Sequence, residues 1–120
     1  MVQLHDIKIQ RQFGDAKLEG DKLFEVRIND RYYQKGDLIR YQVVENSYTF
    51  INANSPVIKI DHPLNSKIFE ITYVYSGPGV ETGYVVLGEQ DVTEDFVNGT
   101  GKFENLQLLQ WKPQEENNGK

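Results

Sequence analysis

A short polar series in residues 22–31 carries the side chains best suited to binding chemistry. A guanidinium and an ammonium can hold a phosphate, whereas a carboxylate and an amide can read the edge of a nucleic-acid base. We therefore expect Lys22 and Arg31 to contact phosphate, Glu25 and Asn29 to contact a base edge, and Arg27 to contact either phosphate or Glu25. The series is chemically suited to a nucleotide-sized ligand.

The alternation within this series predicts the strand that must position it. Phe24, Val26 and Ile28 alternate with the polar residues over residues 22–29, and successive side chains of a strand point to opposite faces. The polar side chains then share one face. That face is either an ordinary solvated surface with ion pairs, which would leave the apolar side chains to the core, or the floor of a cleft.

The rest of the chain predicts one short helix and several more strands. The helix covers residues 10–19, because Phe13, Lys17 and Leu18 recur at helical spacing and Gly20 follows as a stop. One helix followed by many short strands favours a small barrel or curled sheet with the helix attached. Further strands are predicted at about residues 4–9, 38–44, 48–51, 57–60, 68–76, 83–88 and 102–111, with a helical turn beginning near Thr93.

Length, composition and charge set the class of protein. The 120 residues fit a single domain, and the absence of cysteine excludes disulfides and thiolate metal sites. The N-terminus has no secretory signal pattern and no apolar run approaches membrane-spanning length, so we predict a cytoplasmic protein without membrane contact. The net charge is −5, so any nucleic acid must bind to a local basic patch.

The order of the motifs resembles a known family. Gly20, Lys22, Glu25 and Arg27 form the pattern G-x-K-x-x-E-x-R, followed by N-D-R at residues 29–31 and G-D at residues 36–37. Over residues 4–89 the chain resembles the ASCH-like domains of the PUA-like superfamily, in a branch of unknown function from bacteria and phages. The resemblance implies a mainly β fold, a small PUA-like β-barrel with one or two short flanking helices, and a role in binding RNA.

The resemblance also suggests how the chain is divided. Residues 1–89 would form the barrel, residues 90–112 a C-terminal extension packed on or beside it, and residues 113–120 a disordered tail. Residues 90–120 carry three basic and six acidic residues, a net charge of −3. This extension could contact a protein partner, or cover the basic cleft as a mimic of nucleic acid, so a protein-interaction module is a third possible class of function.

Catalysis is the alternative that the resemblance raises. Some small ASCH proteins are amidohydrolases of an acylated cytidine, with the motif K-x-x-T-x-R and the threonine as nucleophile. Lys22 and Arg27 fit that motif, but Glu25 stands at the threonine position, and a carboxylate does not replace an activated hydroxyl in acyl transfer. Glu25 could act as a general base if burial raised its pKa; Glu70 and Glu81 are candidates for a further carboxylate. We expect a non-catalytic domain, with an amidohydrolase using Lys22 and Glu25 as the alternative.

Metal and cofactor sites are not expected. The two histidines stand in His5-Asp6 and Asp61-His62 without metal-ligand spacing, so we predict no metal and no cofactor. The expected partner is single-stranded RNA or a nucleotide-like ligand, and the oligomeric state stays open. Four tyrosines could stack on a base or pack in the core, namely Tyr32, Tyr33, Tyr41 and Tyr84.

Overall fold

Six strands of one sheet and two short helices make up most of the structure. The computed structural model describes residues 2–46 and 57–104. In chain order the elements are β1 (Leu4–Gln10), α1 (Arg11–Leu18), β2 (Phe24–Ile28), β3 (Leu38–Asn46), β4 (Val57–Lys59), a 3₁₀ helix (Pro63–Ser66), β5 (Ile68–Tyr75), β6 (Tyr84–Asp91), α2 (Thr93–Asn98) and a second 3₁₀ helix (Gly101–Phe103).

The predicted mainly β class with short flanking helices is confirmed. Each of the six described strands corresponds to a predicted one, and α1 ends just before Gly20, whose φ of +86° suits a residue without a side chain. The strand predicted at 102–111 is wrong at its start, because Lys102 and Phe103 lie in a 3₁₀ helix. Its remainder and the strand predicted at 48–51 lie outside the described residues.

The predicted barrel is not closed. The sheet has the order β1-β3-β5-β6-β2, and β4 pairs with β3. The first and last strands of this order do not share a ladder, although they approach each other. Arg27 donates from Nη2 to the carbonyl of Lys8, and Arg31 donates from Nη1 to the carbonyl of Asp6, each at 2.6 Å. Two guanidinium groups therefore bridge the gap between β1 and β2, which we call the seam.

Two apolar clusters hold the sheet. Inside its curve lie the side chains that alternate inward along β1, β3, β5 and β6. A smaller cluster forms on the outer face, where α2 and the second 3₁₀ helix cover the starts of β3 and β5. The inner cluster contains Ile7, Ile9, Tyr33, Ile39, Tyr41, Val43, Leu64, Phe69, Ile71, Val85 and Leu87, and the outer cluster contains Leu38, Ile68, Val92 and Phe103.

Asp37 fixes the turn that leads into β3. Its buried carboxylate accepts from the backbone N–H of Gln3 at 3.3 Å and of Gln34 at 3.2 Å, and its Oδ2 lies 2.9 Å from Nε2 of His5. An aspartate that bonds to nearby backbone N–H groups is typical of a turn. This turn places β1 beside β3, and Asp37 and His5 have a structural role here.

Candidate functional site

The polar face of β2 points inward and its apolar face points to solvent. Phe24, Val26 and Ile28 are 46%, 51% and 58% exposed, whereas Glu25 is 4% exposed. In the β2–β6 ladder Glu25 lies opposite Leu87, and residues directly opposite each other share a face. The polar face therefore points into the curve of the sheet. Of its two interpretations, the ordinary solvated surface, with the apolar side chains in the core, is wrong.

The physical reason lies in what fills the interior under β2. α1 places Lys17 there, with its side chain fully buried. Gly14 permits this close packing, because a Cβ at that position would lie 3.2 Å from Cγ2 of Val43. A buried ammonium needs carboxylates and carbonyls around it. The interior of this edge of the sheet is therefore polar, and the polar face of β2 supplies part of the required partners.

Four buried side chains form what we call the ionic cluster: Lys17, Glu25, Tyr41 and Glu89. The ammonium of Lys17 donates to the carboxylate of Glu89 and lies 3.1 Å from Oε2 of Glu25. It also donates to the carbonyls of Lys22 and Phe24, each at 3.2 Å. The Tyr41 hydroxyl donates to Oε1 of Glu89 at 2.5 Å. Every member therefore has a charged or hydrogen-bonded partner.

A cleft of about 480 Å³ opens above the ionic cluster, between β2 and the ends of β1 and β3. On its β2 side, Nζ of Lys22 lies 2.8 Å from Oε2 of Glu25, and Nε of Arg27 lies 3.2 Å from Oε1 of the same carboxylate. Lys8 and Phe13 line the other side. The full lining is Lys8, Ile9, Gln10, Phe13, Lys22, Phe24, Glu25, Val26, Arg27, Val44 and Val57.

The two glutamates of the ionic cluster respond differently to burial. Burial raises the pKa of Glu25, but the hydrogen bond from Lys22 and the charges of Lys17, Lys22 and Arg27 outweigh it, so the pKa is lowered from its ordinary value of 4.5. For Glu89 burial outweighs the pairing with Lys17, so its pKa is raised. Burial and the neighbouring Glu89 also raise the pKa of Tyr41. Glu25 is therefore the anion that faces the cleft.

The structure brings together three of the five predicted site residues. Lys22, Glu25 and Arg27 line the cleft. Asn29 is exposed, lies just beyond the end of β2 and does not line the cleft. Arg31 lies at the seam, where its guanidinium bonds to the backbone of β1. Asn29 and Arg31 both follow Ile28, the last residue of β2, and neither of them lines the cleft.

The two further carboxylates considered for catalysis lie elsewhere. Glu70 is on the outer face of β5, with Oε1 2.6 Å from Nζ of Lys102. Glu81 is an exposed residue of the loop before β6. The carboxylate that joins Glu25 in the ionic cluster is that of Glu89. Neither Glu70 nor Glu81 can therefore act on a ligand in the cleft.

Sequence reasoning missed Lys17 and Glu89 as members of the site. The strand predicted at 83–88 continues in the structure to Asp91. The alternation of Val85 and Leu87 places Glu89 on the same inward face, so extending the strand by one more inward position would have found it. Lys17 lies four residues after Phe13, on the same side of α1. Their meeting needs the fold itself, because 72 residues separate them.

The tyrosines and histidines have mostly structural positions. Tyr33 and Tyr41 are buried in the core, and Tyr32 is exposed at a φ of +50°. His5 is held by Asp37, and Nε2 of His62 lies 2.7 Å from Oδ1 of Asp15. Within residues 2–46 and 57–104 no group of three or more histidine, aspartate or glutamate side chains is arranged to hold a metal ion. The two histidines therefore do not converge on one site.

Fold and site together define a mainly β domain with an open, curled sheet and a polar cleft beside its seam. The chain belongs to the family described as Domain of unknown function (DUF3850), which matches residues 4–89. It is similar to a protein of Escherichia phage P2 named "Uncharacterized 12.9 kDa protein in GpA 3'region". The two are 38% identical over 50 residues, which cover 41% of this chain and 46% of the phage protein. This chain therefore spans about half the length of that curated relative.

These comparisons name neither ASCH-like nor PUA-like proteins, so that resemblance stays a prediction. The matched region ends at residue 89, so α2 and the second 3₁₀ helix lie outside it. Among the described residues, none of the helices has the length and apolar character needed to cross a membrane.

Proposed function

We propose that this domain binds a nucleotide-like anionic ligand, such as a short stretch of single-stranded RNA, in the cleft between β1 and β2, without catalysing a reaction on it. The observation that carries this proposal is the pairing of Lys22 and Arg27 with one carboxylate, Glu25, at a cleft that Lys8 also lines. Positive charge exceeds negative charge there, although the chain as a whole is acidic.

Glu25 holds the side chains of Lys22 and Arg27 in place for an anionic ligand. It holds Lys22 and Arg27 through its two oxygens, and Arg27 is further fixed by the carbonyl of Lys8. Donors that are already ordered lose less conformational entropy when a ligand binds. Nη1 of Arg27 has no hydrogen-bond partner among the described residues, so it is available to a phosphate oxygen.

An aromatic ring at the cleft suits the planar part of such a ligand. Phe13 is 43% exposed, and Nζ of Lys22 lies 5.7 Å from its ring centre. A base can stack on an exposed ring while its phosphate meets the neighbouring ammonium. The volume of about 480 Å³ lies within the range of small-ligand sites. The resemblance to RNA-binding ASCH-like domains supports the same ligand class.

The arrangement gives little support to the amidohydrolase alternative. A general base of raised pKa was required of Glu25, but its pKa is lowered. Glu89 has the raised pKa but lies fully buried behind Lys17, away from the cleft lining. The described cleft lining contains no serine, threonine or cysteine that could act as a nucleophile. We therefore do not propose catalysis.

A titration followed by amide chemical shifts tests the proposal. Isotope-labelled protein is mixed with short single-stranded RNA at low salt, then with acetylated cytidine. We expect shifts clustered at Lys8, Phe13 and residues 22–27. Lys22→Gln should weaken RNA binding about tenfold, the value of one lost charge-assisted hydrogen bond.

A matched variant controls for the loss of net charge. Lys67→Gln removes the same charge from a lysine that pairs with Asp91 at 3.5 Å, away from the cleft lining, and should leave affinity nearly unchanged. Equal losses in the two variants would mean that only the overall charge matters. Unshifted cleft amides, or full affinity in folded Lys22→Gln protein, would refute the proposed site. Acetate released from acetylated cytidine would establish the enzymatic alternative.

A further inference from the structure

The outer face of β5, β6 and β2 is an apolar surface that no described residue covers. Val26 and Ile28 are more than half exposed, as is Tyr73 at 64%. A bare face of this kind usually marks an interaction site on a soluble domain. We call it the outer apolar face, and define it by Phe24, Val26, Ile28, Tyr73, Tyr75, Tyr84 and Val86.

The strand registers arrange these side chains in adjacent rows. Tyr73 and Phe24 both lie opposite Gly88, one from each neighbouring strand, and in the next row Tyr75 and Val26 both lie opposite Val86. Ile28 lies opposite Tyr84 in the row after that. Because cross-strand partners share a face, the rows form one continuous surface.

Gly88 lies in the middle of this surface, between Phe24 and Tyr73 on the two neighbouring strands. The register shifts in β5 at this position, and a Cβ on Gly88 would lie 3.0 Å from Oγ1 of Thr72. The close approach of Thr72 therefore favours a residue without a side chain here, and the apolar side chains exposed in this row are those of Phe24 and Tyr73.

The described chain ends beside this face. Lys102 is anchored by its ammonium to Glu70, and Phe103 packs in the outer cluster on Leu38 and Ile68. Glu70 lies opposite Gln90, in the row of the outer face that precedes Tyr73 and Gly88. Residues after Glu104 thus begin at the border of the outer apolar face. Seven further residues reach at most about 24 Å when extended, enough to cross all three rows.

The composition of those residues matches the face. Residues 105–111 read NLQLLQW, with four large apolar side chains and no charge, and the charged residues of the C-terminus follow only from Lys112. We propose that residues 105–111 pack on the outer apolar face, across the row that contains Phe24 and Tyr73. This assigns the segment to the back of the sheet. It does not cover the cleft, as an acidic mimic of nucleic acid would.

The single tryptophan of the chain provides the test. Trp111 is the only tryptophan, so its fluorescence reports on this segment in the intact protein. We expect its emission at shorter wavelength than that of a water-exposed indole, with several-fold slower quenching by acrylamide. Val26→Lys, which places a charge in the middle of the face, should abolish both effects while the circular dichroism of the sheet is kept.

A matched substitution and a dilution series separate the possible outcomes. Val97→Lys adds the same charge at an exposed apolar residue of α2, 71% exposed and outside the face, and should leave the emission unchanged. Emission typical of exposed tryptophan in the unmodified protein would overturn the proposal. So would a blue shift that Val26→Lys leaves intact. A blue shift that disappears on dilution, together with dimers in sedimentation, would assign the face to a second copy and overturn it as well.

Discussion

At the scale of single residues, Glu25 and Glu89 share one ammonium but have opposite pKa shifts. The folded state holds the proton of Glu89 more tightly than the unfolded chain does, because its pKa is raised. Its contribution to the free energy of unfolding is therefore complete below pH 4.5 and is lost as the pH rises through the folded pKa. For Glu25, whose pKa is lowered, the contribution is present above pH 4.5 and is lost as the pH falls through the folded pKa.

Two amide variants turn this contrast into a prediction. In Glu89→Gln, the stability of the unmodified protein relative to the variant should fall as the pH is raised from 4.5. In Glu25→Gln it should fall as the pH is lowered from 4.5. Urea unfolding of the three proteins across a pH series measures both differences. Two stability differences that change in the same direction with pH would contradict the opposite pKa shifts of Glu25 and Glu89.

Sequence patterns identified the cleft residues but could not give the direction in which they point. Lys22, Glu25 and Arg27 were predicted from residue type and spacing, and all three line the cleft. Alternation alone says which residues share a face, and leaves open which face is inside. For β2 the answer depends on Lys17, a partner from a different element. The burial of an ion pair is decided by tertiary packing, which local patterns do not contain.

At the scale of elements, the seam is held by side chains where other strand pairs use ladders. Replacing Arg31 with Gln removes the bond from its guanidinium to the carbonyl of Asp6. We expect amide exchange in β1 and β2 to become roughly fivefold faster, since one such bond contributes about 1 kcal/mol to the local opening free energy. Exchange in β3 and β5, which are paired on both sides, should stay unchanged. Hydrogen exchange followed by NMR measures each strand.

Arg11→Gln is the matched control for the seam. Arg11 is an exposed arginine whose guanidinium pairs with the side chain of Glu45 at 2.6 Å and, within residues 2–46 and 57–104, with no backbone carbonyl. The same substitution there should leave the exchange of β2 as it was. Unaltered exchange in β1 and β2 of Arg31→Gln would mean that the seam bond does not hold the sheet edges together.

The elements themselves were largely predictable, but their closure was not. Alternation together with apolar and β-branched runs bounded by turn residues predicted all six described strands. A closed barrel was expected from the resemblance, whereas the described β1 and β2 share no ladder and are bridged by Arg27 and Arg31. Whether two edge strands pair depends on the curl of the whole sheet. The curl depends on the registers of all the strand pairs together, so no single segment of the sequence predicts it.

At the scale of the whole molecule, the family region is not the complete folding unit. The match ends at residue 89, but Val92 and Phe103 complete the outer cluster over Leu38 and Ile68. A chain ending after Glu104 should keep the fold. A chain ending after Asp91 loses both buried side chains and should lose about 3–6 kcal/mol of unfolding free energy, from roughly 1.5–3 kcal/mol for each.

Urea denaturation of the two truncated chains checks this expectation. The chain that ends after Glu104 serves as the control, because it lacks residues 105–120 but retains the outer cluster. Equal midpoints for the two would show that α2 and the following 3₁₀ helix contribute nothing to the fold. The comparison also separates the outer cluster from the proposed packing of residues 105–111, since neither chain contains that segment.

The enclosure of Lys17 also bears on its chemical reactivity. Its side-chain nitrogen lies between two carboxylates, has no exposed surface and donates to two carbonyls, so a reagent has no path to it. Amine-acylating reagents will therefore modify surface lysines such as Lys67 while sparing this one for as long as the protein stays folded. Acylation of Lys17 requires that the sheet open. The fraction of molecules acylated at Lys17 after a given time therefore measures the fraction in which the sheet has opened.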